Sequence, residues 1–81
     1  MRVRVYVSFK PTVLDPQGQT ICRALNSHGH PNIAEVRQGK YFDIVLAPGT
    51  PPESASVEIE EIAHEVLANP VIEDYRVEFL E

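Results

Sequence analysis

The chain has 81 residues, of which 43% are hydrophobic and 23% charged, and its formal net charge at pH 7 is −5. These values suit one soluble domain over residues 1–81 with a thin core, because a domain this small buries only about 60% of the surface its unfolded chain exposes. The acidic balance argues against a general nucleic-acid binder. No apolar run approaches the ~20 residues of a membrane span, and the lone Cys22 leaves no internal disulfide.

Residues Arg2 to Lys10 alternate with period two. Val3, Val5, Val7 and Phe9 share one parity and Arg2, Arg4, Tyr6 and Ser8 the other, as in a half-buried strand that Pro11 ends. Asp15-Pro16 then reads as a helix start. The carboxylate accepts from free amides of the first turn, and proline suits the first helical position. Ile21, Cys22, Ala24, Leu25 and His28 recur at helical spacing, Gly29 suits a left-handed helix end, and Pro31 blocks continuation.

Ile33 to Leu46 is the unusual stretch. Ala34, Val36, Phe42, Ile44 and Leu46 share a parity that Gln38 and Lys40 interrupt. One continuous strand would run about 46 Å at roughly 3.3 Å per residue, more than twice a typical strand. The spacing therefore predicts either two strands or one bent ribbon, with a bend at Gly39 and part of the ribbon reaching a second copy.

Thr50-Pro51-Pro52-Glu53 reads as a capping box, with Thr50 as cap and Pro51 as first helical residue. The second helix is expected to run to about Ala68, where Asn69-Pro70 stops it. Its core stripe is Ala55, Ile59, Ile62, Ala63 and Val66, with Leu67 at the edge. Val71 to Leu80 alternates again, Tyr75, Val77 and Phe79 inward and Asp74, Arg76 and Glu78 outward. The order β-α-β(long, bent or ββ)-α-β implies an α+β fold, two helices on one face of a mainly antiparallel sheet.

Charge is unevenly shared. Residues 1–40 carry six basic and two acidic groups, whereas residues 41–81 carry one basic and ten acidic groups. Glu58, Glu61 and Glu65 line the second helix opposite its core stripe with no intrahelical lysine partner, a mildly unfavourable pattern. A solvated face explains it, and so does docking on an arginine-bearing partner.

Catalytic chemistry is hard to place on this sequence. Gly18, Gly29, Gly39 and Gly49 are scattered singly, which is not a phosphate loop. His28 and His30, with Glu35 nearby, make at best a poor metal set. Cys22 lies on the apolar side of the first helix and reads as a small hydrophobe, while His64 is expected to face solvent. No catalytic, cofactor-binding or metal residue is assigned. Spacing and composition leave a small α+β domain with an interface, open to use as an oligomeric small-ligand-binding regulatory domain or, using His28 or Cys22, as a small enzyme.

Three stretches narrow this. Val13-Leu14-Asp15-Pro16-Gln17-Gly18 resembles the signature that PurS chains carry between first strand and first helix. Val36-Arg37-Gln38-Gly39-Lys40-Tyr41-Phe42 resembles that family's V-R-x-G-K-Y/F segment, and Leu67 to Tyr75 resembles its L-A-N-x-V-I-E-D-Y/F stretch. Order and spacing agree over essentially the whole chain. Residues Asn26 to Asn32 depart, since His30 follows Gly29 where the family often has an aromatic residue.

The resemblance implies a non-catalytic small subunit of phosphoribosylformylglycinamidine (FGAM) synthase, in the cytoplasm. Such a subunit joins the ATP-dependent synthetase PurL to the glutaminase PurQ, so that ammonia reaches formylglycinamide ribonucleotide. It implies self-association as a dimer or tetramer and no cofactor on this subunit, ATP and Mg being used by the synthetase. Arg37, Lys40 and Tyr41 on the ribbon are the expected contact residues, with Glu58, Glu61 and Glu65 on the second helix.

Overall fold

Val3, Val5 and Val7 are at most 2% exposed, and they form the middle of the core because their strand is the middle of the sheet. In the computed structural model, which describes residues 1–80, β1 (Arg2–Phe9) lies between β2 (Gly39–Val45) and β3 (Glu73–Phe79), antiparallel to both. Val5 sits opposite Phe42 on one side and Val77 on the other. The inward parity of all three strands thus meets on one face, as the alternation predicts.

Two helices complete the expected order, α1 (Pro16–Ser27) between β1 and β2 and α2 (Pro52–Ile62) between β2 and β3. The long ribbon becomes a single strand that begins at Gly39. Residues 33–38 join no sheet, so Ala34 and Val36 do not share the face of Phe42 and Ile44. They run beside α1 as an extended arm, where the Ile33 carbonyl accepts from Asn26 Nδ2 at 3.1 Å. An arm and a strand have the same extended backbone, so alternation alone does not separate them.

Helix α2 covers the sheet. Ala55, Ile59 and Ala63 are fully buried at four-residue spacing, and the next buried position is Ala68, five residues on. The cause is a π-helical turn over Ala63–Leu67, closed by the Ala68 N–H donating to the Ala63 carbonyl at 3.0 Å. One extra residue in the turn rotates the chain beyond it. Val66, expected in the core stripe, is therefore 73% exposed, and Leu67 and Ala68 pack inward instead. Phe42, Ile44, Leu46, Tyr75 and Val77 flank this cluster. Each fully buried Val or Ile contributes about 1.5–3 kcal/mol by leaving water.

The capping box does not form. Helix α2 starts at Pro52 with Pro51 as its cap residue at φ −63° and ψ 137°, and Thr50 Oγ1 donates to the Ala47 carbonyl at 2.7 Å. A residue that precedes proline is pushed out of the helical region, so Pro52 holds Pro51 extended and delays the helix by one position.

Helix α1 buries only Gly18. Cys22 and Leu25 are half-buried, while Ile21, Ala24 and His28 are exposed, so its apolar stripe is largely uncovered within one chain. The helix ends as its sequence indicates, with Gly29 at φ 93° and the His30 N–H on the Leu25 carbonyl. With α1 and the arm set to one side, the chain measures 51 × 26 × 14 Å.

Candidate functional site

The three sequence stretches that stand out meet at one end of the sheet. Asp15, 3% exposed, caps α1 through Oδ1, which accepts from the Gly18 N–H at 2.9 Å. Its Oδ2 accepts from the Gln38 N–H at 2.7 Å, at the foot of the arm. Arg37 closes the same junction from the other side, Nη2 donating to the Lys10 and Val13 carbonyls at 2.9 Å each. The Lys10 N–H reaches the Ile72 carbonyl at 2.9 Å and so ties in the approach to β3. That approach is itself closed by Glu73 Oε1, which accepts from the Asn69 N–H at 2.7 Å.

The backbone N–H groups of Gln38 and then Gly18 hold the Asp15 carboxyl below the usual aspartate value, with the charge of Arg37 adding to them against the cost of burial. Gly18 is the one buried residue of α1. It lies against the Val36 carbonyl oxygen, so the arm approaches the helix as closely as an absent side chain allows. Between α1 and the arm runs a groove of about 410 Å³ lined by Leu14, Cys22, Arg23, Ala34 and Val36 among others.

The outer face of the sheet carries a second arrangement. Arg4 Nε donates to Asp43 Oδ1 at 2.7 Å, and its guanidinium lies 4.5 Å from the Tyr41 ring centroid. Next along the sheet, Arg76 lies 4.2 Å from the Tyr6 ring centroid, and the Tyr6 hydroxyl donates to Glu78 at 3.0 Å. The pairing raises the affinity of Arg4 for its proton and lowers that of Asp43. Half-exposed pairs of this kind add little stability. They do leave an outer face rich in arginine and tyrosine, residue types enriched at interfaces.

The expected contact residues fall in three places. Arg37 lies in the junction and bonds its own chain, Tyr41 is 57% exposed on the outer face, and Lys40 is exposed on β2 with its Nζ 5.7 Å from the Phe42 ring centroid. Glu58, Glu61 and Glu65 are all exposed on α2 or its π turn, and Glu58 and Glu61 flank Val57, itself 68% exposed. Sequence reasoning missed the second role of Asp15, the part of Gln38, and the Arg4–Tyr41 and Arg76–Tyr6 stacks. The outward parity of Arg4 and Tyr6 is visible in the sequence, but their partners require the β1–β2 and β1–β3 registers.

His28 and His30 are both exposed, and the Cys22 thiol faces the Ile33 carbonyl at 3.6 Å. Among the described residues no three His, Cys, Asp or Glu side chains come together as a metal set. No helix among them is long and apolar enough to cross a membrane.

The family model for PurS, phosphoribosylformylglycinamidine (FGAM) synthase, matches residues 2–81. The chain belongs to the PurS family. The PurS subunit of Bacillus subtilis is 42% identical over 77 residues, covering 95% of this chain and 89% of that one. Its crystal structure superposes with a TM-score of 0.84 over 95% of this chain and 94% of that chain. PurS of Methanocaldococcus jannaschii, described as a subunit of formylglycinamide ribonucleotide amidotransferase in the purine biosynthetic pathway, gives 0.80 at 41% identity and covers 99% and 98%. A chain of the Thermotoga maritima PurLQS structure gives 0.81 at 31% identity over 95% and 93%. As a PurS chain this protein is a subunit of FGAM synthase, a glutamine-dependent ligase of purine biosynthesis.

Proposed function

We propose that this chain bridges the PurL synthetase and the PurQ glutaminase in the cytoplasm, so that ammonia from glutamine reaches formylglycinamide ribonucleotide without escaping. The observation that carries the proposal is the match, over nearly the full length of both chains, to a chain of the T. maritima PurLQS structure. In this reading one PurS domain, residues 1–81, supplies geometry and the synthetase uses ATP and Mg, while no cofactor binds here. Holding two active sites at fixed separation is what retains a diffusing intermediate.

Three surfaces are available to such a clamp. Leu14, Ile21 and Ile33 on α1 and its neighbours are 63%, 39% and 37% exposed, an uncovered apolar side that fits a second copy in a dimer or tetramer. In this reading Tyr41 adds contacts from the outer face of β2, Lys40 from its opposite face and Arg37 from the junction. Glu58, Glu61 and Glu65 fit an arginine-bearing catalytic subunit. The test is amidine synthesis by cognate PurL and PurQ with and without this protein. Glutamine-driven activity should require it, and ammonia-driven activity should not. Indifference of both reactions would reject the bridging role and favour a regulatory one.

A further inference from the structure

Helix α1 has one buried residue, Gly18, residues 31–38 have none, and neither segment contributes to the core cluster under α2, so together they form a lobe to the side of that core. Within one chain its position is therefore fixed where it joins the rest. The two joints are the β1–α1 connection and the passage from the arm into β2, and side chains bind them together. Asp15, in the first, holds the Gln38 N–H of the second at 2.7 Å, and Arg37, in the second, holds the Lys10 and Val13 carbonyls of the first at 2.9 Å. In both bonds the second joint donates and the first accepts, but one side chain comes from each joint, so neither joint is held by its own residues alone.

We propose that Asp15 is a positioning residue that fixes the α1 lobe on the sheet and thereby sets the separation of the catalytic subunits. The proposal rests on the bridging role. A carboxylate suits the task because both oxygens accept, Oδ1 from Gly18 and Oδ2 from Gln38. Asparagine caps a helix as well as aspartate does, but it would set an amide N–H2 against the Gln38 N–H. Asp15→Asn therefore keeps the helix start and removes the tie to the arm. If only the cap mattered, the substitution would be silent.

The experiment reconstitutes the complex with cognate PurL and PurQ and measures both nitrogen sources. Asp15→Asn should lower glutamine-driven synthesis by about tenfold to a hundredfold, the scale of a small misplacement, and leave ammonia-driven synthesis within about twofold. Hydrogen exchange on the variant should show faster exchange in α1 and residues 31–38 with the three strands unchanged. Arg37→Ala should act in the same direction, and the double variant should be no worse than either alone, because both open one joint. Unchanged glutamine-driven synthesis, loss of protection throughout the sheet, or losses that multiply would each overturn the proposal. If the unsubstituted chain fails to support the glutamine reaction, it is the bridging role that fails, and the exchange pattern alone then decides on the joint.

Discussion

A β-carbon built on Gly18 would fall onto the carbonyl oxygen of Val36. The helix and the arm touch there through backbone alone, and the arm has nowhere to go but away from α1 if a side chain is added.

Gly18→Ala is accordingly expected to displace the arm. Forced overpacking costs about 1–3 kcal/mol, partly offset because alanine favours helix by up to about 1 kcal/mol over glycine. Amide exchange should quicken in residues 31–38 while β1 keeps its protection. An unchanged arm with a simple gain in stability would show that the close approach carries no weight.

The π turn sorts two neighbouring apolar residues into opposite environments. Val66→Ser should change the unfolding free energy by no more than about 0.5 kcal/mol, as at other exposed sites. Ala68→Leu should cost about 1–3 kcal/mol by overfilling the site. Denaturant titration of the two variants checks this, and a large loss at Val66 would mean that the helix continues as a regular α-helix.

Ile59 anchors α2 on the sheet and is fully buried. Replacing it with alanine should cost about 2–5 kcal/mol, a large share of the stability of a domain this small. A thermal shift below the range for such a loss would place the main core elsewhere.

Acid should act through Asp15. Its folded-state pKa is lowered from the ordinary value of 3.8, so the folded state binds its proton less readily than the unfolded state. The stability this contributes is present above the unfolded value and is lost as pH falls through the folded one. Stability measured from pH 6 downward should fall less steeply below about pH 4 in Asp15→Asn than in the unsubstituted chain. Asp43 shifts in the same direction beside Arg4, and Asp43→Asn separates its smaller, solvent-screened share. Parallel profiles for the unsubstituted chain and Asp15→Asn would deny the carboxylate this role.

Reversing Glu58, Glu61 and Glu65 to lysine should leave the fold intact, since all three are exposed. It should slow assembly with the catalytic subunits, and the effect should shrink as salt shortens the Debye length below ~8 Å. Assembly at an unchanged rate would make the stripe a solvated face.

The range of each interaction decides how legible it is in the sequence. The β1 alternation and the Asp15-Pro16 helix start depend on neighbours in sequence, and each stands in the structure as read, whereas Gly39, expected at a bend within a ribbon, is where the strand begins. The cap of α2 is also local, but there the restriction that Pro52 imposes on Pro51 outweighs the capping-box pattern. The arm reads as strand because only a partner strand distinguishes the two. The π turn at Ala63–Leu67 leaves no mark in the hydrophobic spacing, since Val66 and Leu67 both fit an apolar stripe. The Asp15–Gln38 tie joins residues 23 positions apart, and nothing in a helix cap announces that its second oxygen is engaged.

The strand order β2-β1-β3 bears on the order of events in folding. The central strand is the earliest in sequence, and its second neighbour is complete only at Phe79. Both pairings close long loops, which is slow. Helix α1 and its arm, by contrast, need only contacts between residues 15 and 38. The part of the molecule that is least supported once folded is therefore the part able to take shape first, and its final placement waits on the sheet.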